Sequence, residues 1–460
     1  GGRVWNNKLH ENRKAFEGTG DSENKLTEQF YRSKNITTNL MVTYNTKIGK
    51  HSIGGLLGYA YEGFSEKQFS TSRLTEDSKY DIFVGDLSGD KVSNTGSGSD
   101  WAIYSGFARA TYNYDEKYLL EFNIRNDYSS YFAKGNRSGV FPSFWSVLKP
   151  YVPSLKIRGS WGLVGNNRIG AYQYMQTVSV TNGISFGDKL AQTATFASAN
   201  PDLKWETTRM ANIGFELGLL NNDLNITFDC FNNRTKDILV NLPVPGLFGN
   251  GAPIQNAGKV ETRGWELSVS YRLKTGPVVH NFSGNISDSF NEVIDTRGTE
   301  IIGGSDVQTI IKEGYPLYSY YAYRSDGFFQ NEEECQKGPH LEGITPKPGD
   351  IRYLDKNGDG VIKPDDDRFI VGNDFPRYTF GFTYGLEYKG FDFSMMWQGV
   401  GRRNKWMRGE SVEAFHNNNE GPVMDFHQDR WTPNNPDATY PRLTMGAESA
   451  NNAAKSDGDK

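Results

Sequence analysis

The chain has 460 residues, a formal net charge of −5, 36% hydrophobic and 13% aromatic residues, and 51 glycines. No run approaches the roughly 18 apolar residues of a spanning helix, which excludes a helical membrane protein but not a barrel, where only one face of each strand must be apolar. Basic and acidic residues are interspersed, leaving no footprint for nucleic acid, and Cys230 in mid-strand and Cys335 in a loop make no disulfide framework.

Gly1 to Asn35 reads as polar and irregular. Asn39–Ile48 alternates polar and apolar residues, turns at Gly49-Lys50-His51 and returns as Ser52–Gly63, after which Phe64–Asp100 reads as a polar connector. Trp101–Tyr114 turns at Asp115-Glu116-Lys117 into a strand with Tyr118, Leu120, Phe122 and Ile124 on one face and Glu121, Asn123 and Arg125 on the other. Leu155–Gly165 is again a strand. The longest regular hairpin lies within Asn200–Leu242. There Ile213, Phe215, Leu217 and Leu219 alternate with polar or glycine positions, Asn221-Asn222-Asp223 supplies turn chemistry, and Leu224, Ile226 and Phe228 repeat the alternation. Trp265, Leu267, Val269 and Tyr271 turn at Lys274-Thr275-Gly276 into Val278–Val293. Phe380, Phe382, Tyr384 and Leu386 turn at Lys389-Gly390 into Phe391, Phe393, Met395 and Trp397.

Tight turns after Ile48, Tyr114, Leu220, Leu273 and Tyr388 thus alternate with long connectors: Phe64–Asp100, Phe132–Gly139, Pro243–Gln255, Ile294–Asn373 and the stretch from Gly401 on. Short periplasmic turns and long extracellular loops are the pattern of an outer-membrane barrel. Aromatics at Trp101, Tyr114, Tyr118, Trp205, Tyr388 and Trp406 stand at strand ends, where interfacial girdles would lie. The expected fold is all-β, a large antiparallel transmembrane barrel. The rival class is a secreted, calcium-stabilised β-sandwich or jelly-roll that binds or cleaves polysaccharide and hides its apolar faces between two sheets.

The sharpest local motif is Asp355-Lys356-Asn357-Gly358-Asp359-Gly360-Val361-Ile362, followed by Asp365, Asp366 and Asp367. It fits the spacing of a calcium loop, with ligands expected from Asp355, Asn357, Asp359, the Val361 carbonyl and Asp366, the last standing where an EF-hand has Glu. A turn rich in Asp, Asn and Gly that binds nothing is the alternative. No zinc-protease, nucleophile-elbow or phosphate-loop motif occurs, so no enzyme is expected and no cofactor is required, a structural Ca2+ in that loop being the one candidate.

Several stretches resemble the SusC/RagA-type TonB-dependent outer-membrane receptors. They are LKIRGSWGLVGNN at Leu155–Asn167, NPDLKWETT at Asn200–Thr208, NAGKVETRGWELSVSY at Asn256–Tyr271, EGYPLYSYYAYRSDGFFQ at Glu313–Gln330, GDIRYLDKNGDGVI at Gly349–Ile362 and RWTPNNPDATYPRL at Arg430–Leu443. The resemblance implies a plugged barrel of about twenty-two strands in a Gram-negative outer membrane. It also implies a SusD-like lipoprotein lid and TonB-driven import of oligosaccharide or peptide, with a siderophore or vitamin receptor as the alternative within the class. Against that pattern residues 1–460 read as an incomplete barrel, without signal sequence, TonB box, plug or last strands, and Phe141–Lys156 looks compressed. Residues 294–373 are expected to be a long extracellular loop region and 404–460 an extracellular loop and tail. Sugar rings stack on aromatic faces, so Tyr318, Tyr320, Tyr321, Trp406 and Trp431 are candidates for ligand or lid contact, with girdle or loop packing as the alternative. Arg402, Arg403 and Lys405 read as a solvated strand end.

Overall fold

The structure, a computed structural model, describes residues 2–13, 24–75, 92–149, 154–186, 189–245, 247, 249, 251–304, 307–409, 412–416 and 421–445. Thirteen long strands carry the fold: β1 Gly2–Arg13, β2 Asn24–Ile48, β3 His51–Thr75, β4 Val92–Tyr114, β5 Tyr118–Ser129, β6 Ser138–Leu148, β7 Leu155–Asn166, β8 Glu206–Leu219, β9 Leu224–Lys236, β10 Lys259–Thr275, β11 Val278–Asp295, β12 Arg377–Tyr388 and β13 Phe391–Arg402. The chain divides into two compact units, Gly1–Leu217 with Phe231–Gly258 and Gly218–Cys230 with Lys259–Lys460. Within the first, β1 to β8 follow one another in sequence order, each antiparallel to the next. Within the second, the order is β9-β10-β11-β12-β13.

From β2 to β8 the register aligns the apolar positions of neighbouring strands into rows on one face. Val42 stands opposite Leu57, Leu57 opposite Ala108, Ala108 opposite Ile124, and Ile124 opposite Pro142. The neighbouring row runs Tyr44, Gly55, Ala110, Phe122, Phe144, Trp161 and Ala211. These are not core residues: Val42 and Leu57 are each 67% exposed. A contiguous exposed apolar face across this many strands has no place in water, and in a bilayer it is the lipid contact. Small residues leave a groove of about 290 Å³ on this face, bordered by Val42, Leu57, Phe122 and Ile124.

The opposite face carries the charges. Arg125 donates to Asp127 Oδ1 (2.7 Å) and Ser105 Oγ (2.8 Å), Arg109 donates to Asn123 Oδ1 (2.8 Å), and Lys156 donates to Glu216 Oε1 (3.0 Å). In the second unit the rows Tyr271–Phe282–Tyr384–Met395 and Val269–Gly284–Phe382–Trp397 repeat the apolar stripe.

The tight turns lie where expected and are tied to one another. Asp115 N donates to Lys50 O (2.8 Å), Lys149 N to Lys117 O (2.8 Å) and Arg272 N to Asp223 O (2.8 Å). The Lys50 ammonium, and then that of Lys117, hold the Asp115 carboxyl below the usual carboxylate range. The turn between β8 and β9 begins one residue earlier than expected, with Leu220, Asn221 and Asn222 all left-handed (φ 54, 58 and 68°).

Several expectations are corrected. Much of Gly1–Asn35 is strand, and Phe64–Asp100 is strand as far as Thr75 and again from Val92; residues 76–91 lie outside the described ones. The reason is that β2, β3 and β4, at 25, 25 and 23 residues, are much longer than the roughly nine to eleven residues that cross a bilayer. A ladder continuing into water needs no apolar face, so no alternation marks it. The strand β6 was not expected, because Pro142 and apolar residues on both its faces conceal its period. A hairpin at Val178–Phe186 and Lys189–Phe196 was not foreseen. Of the expected girdle aromatics, Tyr114, Tyr118 and Tyr388 do stand at strand ends. Trp101 lies inside β4, on the charged face, stacked on Phe64 at 5.7 Å.

In the full-length protein, Leu57→Arg is expected to cost the embedded sheet about 2–4 kcal/mol. Thr43→Arg, on the charged face, should stay within about 0.5 kcal/mol. The check is the urea concentration at which the heat-modifiable folded band disappears.

Candidate functional site

The stretch between β11 and β12 is not an open connector. Ile301–Gly303, Thr309–Ile311, Ser319–Tyr323 and Arg368–Gly372 form a four-stranded antiparallel sheet. Ser325–Phe328 pairs with Ile351–Tyr353, and His340–Leu341 runs parallel to Val361–Ile362. One short helix, α1 (Glu332–Lys337), is capped by Asn331, whose side chain accepts the Glu334 N–H. The module is clamped to the end of β11. Glu313 Oε1 accepts the N–H groups of Thr296 (2.7 Å) and Gly298 (3.3 Å), which hold that carboxyl below its usual range. Asn291 Oδ1 accepts the Leu317 N–H at 2.8 Å.

Three distant segments meet in its core. Tyr323, Phe328, Leu341, Ile351, Tyr353 and Ile362 pack with Trp431 and Ala438, which come from beyond β13. Gly349 makes the closest approach: at φ +89° its missing Cβ would sit 2.3 Å from Trp431 Cε3. Trp431 Nε1 donates to Gln330 Oε1 (3.0 Å), Arg442 N donates to Gly349 O (2.9 Å), and the Arg442 guanidinium pairs with Asp350, which is 2% exposed. The stretches Glu313–Gln330, Gly349–Ile362 and Arg430–Leu443, far apart in the chain, are therefore one folded object. Burial pushes the Tyr321 and Tyr323 hydroxyls above their usual range, that of Tyr353 much further, and the Cys335 thiol up to about 11, so all four are neutral packing groups at ordinary pH.

This changes the reading of the aromatic candidates. Tyr320, Tyr321 and Trp431 are each 8% exposed and form packing contacts rather than open stacking platforms. Trp406 meets Tyr320 edge-on at 5.6 Å, and Tyr318 alone of the five stands out, 62% exposed and left-handed at φ 54°. Of the expected solvated strand end, Arg403 and Lys405 both pair with Asp374.

In the calcium-like loop, Asp355 accepts the N–H groups of Gly358 (2.6 Å) and Gly360 (2.7 Å), Asn357 that of Asp359 (2.9 Å), and Asp359 that of Val361 (2.8 Å). Gly358 and Gly360 are left-handed, at φ +80 and +81°. Those main-chain donors, Gly360 first, hold the Asp355 carboxyl below its usual range. The twelfth position departs from the expectation. Asp366 is exposed, while its neighbour Asp367 is fully buried and accepts the N–H groups of Lys356 (3.0 Å) and Lys363 (2.7 Å). Among the described residues no three His, Cys, Asp or Glu side chains converge as a metal site. Beside this loop an open cleft of about 660 Å³ is lined by Asp326, Glu333, Glu334, Lys337, Arg352 and Asp355, among others.

The first unit has a smaller core of the same kind, in which Phe132, Leu203 and Trp205 pack with Phe141, Ile169, Leu239 and Ile254. Trp205 is thus a loop anchor rather than a girdle residue, and its Nε1 donates to Arg137 O at 2.9 Å. Asn256 clasps Lys204, accepting its N–H and donating to its carbonyl, both at 2.8 Å.

Comparison with known proteins agrees with this architecture. The family model described as "TonB dependent receptor-like, beta-barrel" matches residues 3–453. The TonB-dependent receptor P3 of Formosa agariphila is 29% identical over 401 residues, covering 81% of this chain and 39% of the relative. The TonB-dependent receptor SusC of Bacteroides thetaiotaomicron is 27% identical over 394 residues, covering 78% of this chain and 37% of the relative. The solved structure of the RagAB peptide transporter superposes with a TM-score of 0.78 at 22% identity, over 97% of this chain and 50% of the matched one, which shows a shared fold. The chain thus spans about two fifths of the length of these curated relatives.

Replacing Asp350 by Ala removes the carboxylate that pairs with the Arg442 guanidinium, which is only 20% exposed, and is expected to loosen the module by about 3 kcal/mol. Limited proteolysis of the full-length protein should then cut within residues 313–445, while heat-modifiable migration persists.

Proposed function

The chain belongs to the TonB-dependent receptor β-barrel family of the Gram-negative outer membrane, and from that premise we propose that the full-length protein is the barrel of a SusC/SusD-like importer of nutrient oligomers, glycan or peptide. The observation that carries this reading is the passage of the apolar strands β11 and β12 directly into a packed module, which the proposal sets on the extracellular side. Such a module gives ligand and lid a preformed surface, whereas bare loops would have to be ordered at each capture. A SusD-like lipoprotein covers that surface, and TonB supplies the energy through the plug-bearing part of the receptor. The family is one of receptors, and no covalent step is assigned to this chain. The exposed apolar rows and the family match together displace the secreted β-sandwich.

The test is uptake by cells expressing the intact receptor with its lid partner. Oligosaccharide or peptide uptake should require TonB and fall at least about tenfold in Asp350→Ala, with the barrel still in the outer membrane. Uptake of ferric siderophores instead, or uptake indifferent to TonB, would overturn the proposal.

The loop Asp355–Asp366 belongs to the same proposal as a calcium site that stiffens the module. Its support is the folded geometry at the first, third, fifth and seventh positions: Asp355, Asn357, Asp359 and the start of the Val361 strand. Asp366, being exposed, would have to swing inward or leave its place to water. Millimolar Ca2+ should raise the protease resistance of the module in the wild type and not in the Asp355→Asn/Asp359→Asn double variant. No change in the wild type would leave the loop a self-capped turn.

A further inference from the structure

The lipid-facing side of the first unit does not end in neutral polar sequence. Tyr59, Tyr61, Tyr104 and Tyr128 close the apolar band on its loop side, with ring centroids 5.1 Å apart for Tyr61–Tyr104 and 6.5 Å for Tyr104–Tyr128. Such a tyrosine row marks the membrane–water interface. Beyond it, on the same face of β2 and β3, stand Lys34, Arg32 and Lys67, followed by the exposed pair Phe30 and Phe69.

The register places Arg32 directly opposite Lys67, and Lys34 opposite Ser65. All three cations are exposed, and none forms an ion pair with a described residue. Like charges directly across a ladder repel. Directly opposite, β4 offers no side chain, because Gly98 faces Lys67 and Gly96 faces Phe69, and its one acid on this face, Asp100, lies diagonal to Lys67 without forming an ion pair with it. The nearby acids are otherwise placed. Glu66 points to the other face, where Tyr31 donates to it at 3.1 Å, and Asp100 stands opposite Ser65 rather than opposite a cation.

Distance along the strands identifies the surroundings of this cluster. Lys34 and Lys67 stand four and six residues beyond the Thr38–Tyr61 pair, or about 13–20 Å along the strand. This is the headgroup zone, outside the hydrocarbon and still against the membrane. We propose that Arg32, Lys34 and Lys67 bind the phosphate-bearing headgroup of a glycolipid of the outer leaflet, fixing lipid against the extended hairpin β2–β3. Charge complementarity and continuity with the lipid-facing band commit the site to that occupant.

The test uses the full-length receptor in phosphatidylcholine nanodiscs, titrated with phosphorylated lipopolysaccharide, with the same glycolipid after enzymatic dephosphorylation, and with inorganic phosphate. The phosphorylated form should bind at least about tenfold tighter than the dephosphorylated one. That preference should shrink with salt, be lost in R32Q/K34Q/K67Q and be kept in R32K/K34R/K67R, with heat-modifiable migration confirming that both variants fold. Equal binding of the two glycolipids, an unchanged preference in the neutral variant, or displacement by millimolar inorganic phosphate would each overturn it.

Discussion

Hydrocarbon offers no partner for a peptide N–H or C=O, and the other features of this chain follow from that constraint. Each strand inside the bilayer must be paired on both sides, so consecutive strands run antiparallel in sequence order, joined by the shortest turns available. The turn-side ends are uniform, and the ties from Asp115 to Lys50 and from Lys149 to Lys117 hold adjacent turns in line. Once pairing is satisfied, the side chains are free to answer to what each face meets. One face presents Val42, Leu57, Phe122 and Trp161, and the other presents Arg125, Asp127, Lys156 and Glu216.

Beyond the bilayer the constraint changes, and so does the way the chain solves it. Water can satisfy the backbone there, but a bare loop would carry a large ordering cost when it captured a ligand. The chain answers with small cores: Trp205 with Phe132 and Leu203 in the first unit, and Trp431 with Tyr323, Tyr353 and Ile362 in the second. Each is completed by polar contacts across long stretches of chain, such as Asp350 with Arg442 and Asn256 with Lys204. The segments by which the sequence resembles its family are largely these contacts. Their resemblance therefore reports how the segments between the long strands fold, and it does not by itself say what they bind.

The candidate site was legible only in part, for a definite reason. Tyr320, Tyr321 and Trp431 look the same in sequence whether they stack on a sugar or on a neighbouring strand; only packing shows that their faces are taken. Asp355, Asn357 and Asp359 follow from spacing, because each makes its contact within a few residues of itself. Asp366 and Asp367 could not be told apart from spacing, since which of two adjacent carboxylates turns inward depends on the register of the strand that follows.

Local pattern alone determined the hairpins, the side of each strand that meets lipid and the alternation of short turns with long loops, because a period of two is imposed residue by residue wherever one face touches hydrocarbon. Where that imposition stops, sequence stops being informative. The outer halves of β2, β3 and β4 went unread because strands beyond the hydrocarbon carry no apolar period. The module between β11 and β12 went unread because its core is shared among segments about a hundred residues apart. Tertiary structure decided those, and with them the clustering of Arg32, Lys34 and Lys67: two strands must be placed in register before two distant cations become neighbours.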